Sequence, residues 1–170
     1  TATVLAHALN ATGIKTVLVG TCQTGLMQGA KYGVAMDAVP PQFCCGELEG
    51  TIVAASNAEQ LDVILTEGQG ALSHPSLNTS AFILRGSQSD RVILQDASKR
   101  AHRCDFPKMA MPAPEDEVAL IETFANTKVI GVTINHEGMT DAEVSASITA
   151  QLQKLDLPVT DALSRPVTHL

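Results

Sequence analysis

Short, continuous apolar runs alternate along the chain with stretches of helical spacing. Thr16-Val-Leu-Val-Gly20, Asp62-Val-Ile-Leu-Thr66, Arg91-Val-Ile-Leu-Gln95 and Lys128-Val-Ile-Gly-Val-Thr-Ile-Asn135 are four such runs, and Leu157-Pro-Val-Thr160 is a shorter fifth. Runs of this length, rich in β-branched residues, predict strands buried on both faces. Helices are predicted between them. Residues 1–11 place Val4, Leu5, Ala8 and Leu9 on one face and stop at Gly13. A second helix covers about residues 46–56, with Glu47 and Glu49 at the positive end of its dipole. Residues 77–85 form a short helix, residues 115–126 an amphipathic one with an acidic first turn, and residues 141–154 a last one with Thr140 as N-cap. Residues 101–114 carry Pro and Met and read as a loop that can serve as a lid. Strands alternating with helices define an α/β class with a parallel sheet covered by helices on both faces.

Composition narrows the function. The 170 residues suit one domain, residues 1–170. With 45% hydrophobic and 17% charged residues, the chain belongs with folded proteins and not with disordered ones. Aromatics supply only 3%, so the core rests on Val, Ile, Leu, Ala and Met. A net charge of −7 argues against nucleic-acid binding, which needs a basic face to neutralise phosphates. No apolar segment approaches the ~20 residues that span a bilayer, and no signal peptide is visible. Cys22, Cys44, Cys45 and Cys104 form no C-x-x-C pair, as expected of reduced thiols in a cytoplasmic protein. Cys44-Cys45 has no His/Asp arrangement nearby and reads as packing.

Ligands of parallel sheets bind beyond the carboxyl ends of the strands. Three strand ends here are polar or glycine-rich: residues 20–25, 67–74 and 135–137. They are expected to converge on one sheet edge. Gly20-Thr-Cys-Gln-Thr-Gly25 has the G-x-x-x-x-G spacing of a phosphate loop, but Leu26-Met27 stands where Lys-Ser/Thr would be, so it is no Walker A motif. Its Thr21, Gln23, Thr24 and Gly25 either line a pocket or form a tight turn. In Glu67-Gly-Gln-Gly-Ala-Leu-Ser-His-Pro75, Glu67 can act as a base, hold a metal through water or cap a helix. His74 can be a general acid or base, or pack beside Pro75. Gly68 and Gly70, on either side of Gln69, let backbone approach a ligand closely. Asp37 sits among apolar residues and needs a partner, whether substrate, metal or helix end. Asn135 can read a purine edge or satisfy a loop. Lys99, Arg100, His102 and Arg103 form a small basic cluster, either solvated or facing an anionic substrate or coenzyme phosphate.

Four of these segments, taken in order, carry a resemblance. Gly20-Thr-Cys-Gln-Thr-Gly25, Val34-Ala-Met-Asp-Ala-Val39, Glu67-Gly-Gln-Gly-Ala-Leu-Ser-His-Pro75 and Gly131-Val-Thr-Ile-Asn135 resemble the C-terminal domain of the D-glutamate N-acetyltransferase (DgcN-like) family, long known as a domain of unknown function. The resemblance spans essentially the whole chain. It implies a P-loop NTPase-like domain similar to dethiobiotin synthetase, preceded by a Rossmann-like domain. The phosphate loop of that pattern falls just upstream of Thr1, in keeping with a chain that opens in mid-helix without an N-cap, a strand or a Met. The pattern usually reads Gly-Thr-Gly-Gln-Thr-Gly, so Cys22 replaces a glycine. The implied activity is acetyl transfer from acetyl-CoA to the amino group of a D-amino acid, D-glutamate foremost. Gln23, Thr24, Asp37, Glu67, Gln69 and His74 would line the pocket, with Glu67 or His74 as the base and glycine-loop amides as oxyanion donors. Two other readings stand beside it. One is an ATP- and magnesium-dependent ligase or kinase, with Glu67 near the metal and Asn135 near the nucleobase. The other is a non-catalytic nucleotide- or CoA-binding module. The expected partners are a small-molecule substrate and a second copy of the chain, with neither nucleic acid nor membrane.

Overall fold

Strand β1 (Thr16–Gly20) is the centre of a three-stranded sheet, flanked by β2 (Tyr32–Gly33) and β3 (Val63–Thr66), with every pairing parallel. Thr16 faces Val63 and Val19 faces Thr66, so β1 and β3 end level with one another. Helix α1 (Ala2–Ala11) packs on β1, burying Ala6. The Asn10 side chain ties the two together, donating to the Thr16 carbonyl at 2.8 Å and accepting from the Thr16 amide at 3.1 Å. A short helix α2 (Gln23–Met27) follows β1 directly. Helices α3 (Cys44–Ala58) and α4 (Thr79–Ser87) pack against each other. Val19, Met36, Cys44, Leu48 and Ile83 form the core of this part, with Tyr32, Ile52, Ile64 and Phe82 around them. Full burial of a Leu48-sized side chain contributes roughly 1.5–3 kcal/mol.

The computed structural model describes residues 1–165, and these divide into two compact units. The first is Ala2–Ser89; the second starts at Asp90 and includes Thr1. In the second unit, β7 (Lys128–Ile134) is the central strand between β4 (Arg91–Asp96) and β8 (Val159–Thr160), again all parallel. A register shift lets Ile93 face Gly131 directly after Val92 faces Val129, so Ile130 bulges outward and is exposed. Val132, Ile134 and Val159 form the core, with Leu94, Ile148, Leu155 and Leu157 packed on it. Helix α5 (Pro114–Ala125) opens with Pro and three acidic residues, and α6 (Asp141–Leu155) opens with a complete capping box. The α/β class and the parallel pairing agree with the sequence pattern. Among the described residues six of the eight strands divide between two three-stranded parallel sheets.

Residues 101–114 differ from expectation. They are no open loop: β5 (His102–Arg103) and β6 (Phe106–Ala110) form an antiparallel hairpin. Buried Arg103 holds it to α5 through a 2.9 Å ion pair with Glu117. The basic cluster is likewise neutralised. Lys99 pairs with Glu143 at 2.8 Å and Arg100 with Glu137, so three of its four residues already meet carboxylates. Within the described residues no helix is long and apolar enough to cross a membrane.

Candidate functional site

Thr21, fully buried just past β1, is the hub at which two of the predicted segments meet. Its amide donates to Glu67 Oε2 at 3.1 Å, and its hydroxyl to the Glu67 carbonyl at 3.1 Å. Its own carbonyl accepts from Gln69 Nε2 at 2.8 Å and from the Met36 amide at 3.1 Å. The turn after β1, the strand end after β3 and the turn at Met36–Ala38 are thus laced together. The lacing follows from the register, because β1 and β3 are parallel neighbours that end together.

The carboxylate of Glu67 takes up donors that a phosphate-loop turn would offer an anion. Beside the Thr21 amide, Cys22 Sγ approaches Glu67 Oε2 at 3.5 Å and accepts from the Gly25 amide at 3.3 Å. Cys22 has φ −141° and ψ 168°, an extended conformation open to any residue, and its sulfur caps α2. A glycine is therefore not required there. At position 25 a Cβ would stand 2.3 Å from Glu67 Oε2, so any larger residue there must push that carboxylate aside. Gly70 is held more strictly: its φ is +67°, and a Cβ would lie 2.2 Å from the Leu77 carbonyl oxygen, a backbone atom.

The other predicted residues fall around this hub or away from it. Gln23, Thr24 and Gly68 are exposed. Asp37 is exposed in the turn at Met36–Ala38, so water solvates its carboxylate and the partner expected from its apolar neighbours is not needed. His74 is buried. Its Nδ1 accepts from the Leu77 amide at 2.8 Å and the Ser76 amide at 3.2 Å, so that lone pair anchors the loop after β3. Burial, together with the charges of Cys45 and Asp37, pushes the Cys44 thiol above its ordinary value, in keeping with packing. Asn135 belongs to the second unit, where its amide donates to the Asp96 carbonyl at 2.7 Å and its Oδ1 accepts from the Glu137 amide at 3.2 Å. The first two segments therefore meet in one unit, and the third is part of the other sheet.

The second unit carries a constellation that the sequence did not single out. At the carboxyl ends of β7 and β8, His136 Nδ1 lies 2.5 Å from Asp161 Oδ2. Asp161 is fully buried; Ser164 Oγ also reaches its Oδ2 at 2.5 Å, and the Leu163 amide donates to its Oδ1 at 3.0 Å. Burial works to raise the Asp161 carboxyl, but the hydrogen bonds from Ser164, Leu163 and His136 outweigh it and hold the group below its ordinary value. The only signal in the sequence is position: each residue lies just past a strand end. On the same unit, a cleft of about 510 Å³ is lined by Asp96, Ser98, Arg100, Glu115 and Gln151 among others. There Gln151 Nε2 donates to Asp96 Oδ2 at 2.6 Å and to Ser98 Oγ at 2.9 Å.

Parallel sheets flanked by helices, with a glycine-bounded turn leading from a strand directly into a helix, define an α/β protein of the P-loop type. The chain belongs to the family described as "Domain of unknown function (DUF1611_C) P-loop domain", whose model matches residues 1–170. It is similar to the crystal structure of a DUF1611 family protein from Anabaena variabilis, with a TM-score of 0.87 and 27% identity. That match covers 95% of this chain and 48% of the other, so the chain spans about half the length of its solved relative. Among curated proteins nothing matches the chain.

Proposed function

We propose that the chain is the P-loop-type domain of an acetyl-CoA-dependent N-acetyltransferase that acts on the amino group of a D-amino acid, D-glutamate foremost. One observation carries this reading. Two segments of the resemblance, residues 20–25 and the start of the specific string at 67–70, fold onto each other through Glu67, Thr21 and Gln69. Gly25 leaves the Glu67 carboxylate the space it occupies. Segments that carry a family's pattern and also form one built structure support a shared functional design. In this reading Glu67 sets the shape of the glycine turn, and His74 that of the loop behind it. Gln23, Thr24 and Gly68 are the exposed positions of these segments that are open to a ligand. The reaction needs a base for the substrate's ammonium and donors for the oxyanion that forms on the thioester carbonyl.

The test is a thiol-release assay on the full-length protein. With acetyl-CoA and D-glutamate, free CoA should appear mole for mole with N-acetylated product, and L-glutamate should react far more slowly. Glu67→Ala should lower the rate at least tenfold, because nothing then accepts from the Thr21 amide or meets the Cys22 sulfur where Oε2 stands. ATP turnover without thiol release would overturn the reading in favour of a phosphoryl-transfer enzyme or ligase. Ligand binding with no turnover of either kind would favour a binding module.

A further inference from the structure

We propose that the cleft of about 510 Å³ in the second unit binds a small alkylammonium compound, with Gln151 Oε1 and Glu115 Oε2 accepting from its N–H groups. Such a site is independent of the acetyl-transfer reading, and every residue that lines the cleft belongs to this one unit. The cleft lies at the carboxyl end of β4, the edge at which ligands of parallel sheets bind. There Asp96, Ser98 and Gln151 form a network with one gap. A carboxylate accepts, so the Gln151 amide turns its NH2 group towards Asp96. Nε2 donates to Asp96 Oδ2 at 2.6 Å and to Ser98 Oγ at 2.9 Å, and Ser98 Oγ donates to the same Oδ2 at 2.6 Å. Both amide hydrogens and the hydroxyl hydrogen are thereby used. Gln151 Oε1 is left over: it is buried and has no hydrogen-bond partner among the described residues. The whole residue is only 8% exposed, and its own NH2 group fixes which way the oxygen points. A buried acceptor in that state destabilises the fold, and a donor seated in the cleft removes the penalty.

Glu115 supplies the second acceptor. Lys154 stands three residues after Gln151, on the same face of α6, and its Nζ pairs with Glu115 Oε1. The other oxygen, Oε2, is buried and has no partner among the described residues. The Lys154 hydrogen bond, followed by its own backbone amide, holds the Glu115 carboxyl below its ordinary value, so Oε2 accepts as a charged oxygen. The Glu115 side chain is 39% exposed, so a turn about its last bond brings Oε2 to an entering guest without disturbing the helix. Charge decides between a neutral and a cationic guest. Asp96 and Glu115 bring two carboxylates to the cleft and Lys154 one ammonium, while Arg100 is already answered by Glu137. One negative charge remains for a monocation to balance. An ammonium carries three N–H donors and no acceptor, which suits two unpartnered oxygens that would repel a carboxylate or a phosphate. Ala97, Met111 and Pro112 give its carbon chain an apolar wall.

Calorimetric titration of the full-length protein with n-butylammonium chloride tests this. Saturable binding should appear with a dissociation constant on the order of 1 mM, as a five-atom ligand allows. n-Butanol has a donor but no charge, and butyltrimethylammonium a charge but no N–H; each should bind at least tenfold more weakly. Glu115→Gln should weaken n-butylammonium about ten- to a hundredfold, the size of a charge-assisted hydrogen bond. Gln151→Leu, which removes the other oxygen, should weaken it as well. If that variant does not fold, nitrogen-15 spectra of the wild type replace it: the Gln151 side-chain amide should shift as the probe is added. Glu122→Gln is the matched control on the same helix. Glu122 also pairs with a lysine, Lys128, but its other oxygen accepts from the Val129 amide, so its loss of charge should leave binding unchanged. Equal binding of butyltrimethylammonium, or an equal loss in Glu122→Gln, overturns the site in favour of a cation drawn to an acidic surface. Equal binding of n-butanol, or full binding by Glu115→Gln, overturns it in favour of an apolar hollow. No saturable binding of n-butylammonium overturns it outright.

Discussion

At the scale of single residues, the geometry turns on how closely Glu67 approaches the turn after β1. Gly25→Ala would place a methyl group 2.3 Å from Glu67 Oε2 and 3.1 Å from its Cδ. The carboxylate must swing out and give up the Thr21 amide and the Cys22 sulfur. Overpacking of this kind costs about 1–3 kcal/mol. Urea unfolding should show that loss for Gly25→Ala, and a smaller one when Gly25→Ala is added to a Glu67→Ala background, where nothing remains to be pushed. Equal losses in both backgrounds would mean the glycine is needed for another reason. The sequence showed that a backbone approach was built in, because glycines bound the turn, but not which group approaches. The answer lies 46 positions away along the chain in the Thr21–Glu67 bond, and only strand register brings it there. The pairing of His136 with Asp161 was illegible for the same reason: 25 positions separate them, without a motif spacing. Asp37 misled because its apolar neighbours along the chain do not enclose its side chain.

At the scale of elements, helices that carry their own end signals were legible. Thr140 and Glu143 stand three apart ahead of α6, and both halves of the capping box form. Glu143 Oε2 accepts from the Thr140 amide at 2.7 Å, and Thr140 Oγ1 accepts from the Glu143 amide at 3.3 Å. Lys99, followed by the Thr140 amide and hydroxyl, lowers the Glu143 carboxyl to about 2. A folded-state value below the ordinary carboxylate range means stability that is present near neutral pH. It is lost as pH falls from about 4.5 towards about 2. Glu143→Gln keeps an acceptor for the cap but loses the charge. Its melting temperature should lie slightly below wild type at pH 7 and converge with it near pH 2; the gap stays small because the pair is exposed to solvent. Thr140→Ala should cost roughly 1 kcal/mol at any pH. A gap for Glu143→Gln that widens on acidification would contradict the cap's charge dependence. The β5–β6 hairpin was illegible by contrast. Pro107 interrupts β6 and no alternation marks it, since what holds the hairpin is a buried Arg103–Glu117 pair and not an apolar face.

At the scale of the whole molecule, the class was legible because continuous apolar strands separated by helices leave a parallel sheet as the economical solution. The grouping of the strands into two three-stranded sheets was not, since each run reads alike and nothing in a run names its neighbour. The topology has a kinetic consequence. Every pairing in both sheets is parallel, and all but the β1–β2 pairing of Val19 with Tyr32 join strands far apart in the chain: Thr16 faces Val63, Arg91 faces Lys128 and Val132 faces Val159. Parallel neighbours cannot be joined by a tight turn, so each must wait for an intervening helix to close a long loop before any ladder bond repays the lost entropy. Helices α1, α3 and α6 can flicker in microseconds, but the sheets cannot assemble on that timescale. Folding of the chain after dilution from urea should therefore take milliseconds to seconds, as in other proteins dominated by non-local contacts. Stopped-flow circular dichroism separates the two stages, with part of the helical signal gained within the dead time and the rest in the slow phase. Substitutions at Val19 or Val132, central in their sheets and fully buried, should slow that phase. A surface change on α3 such as Thr51→Ala should leave it unaltered. Complete recovery of signal within the dead time would show that the sheets form from local structure alone, which parallel pairing does not permit.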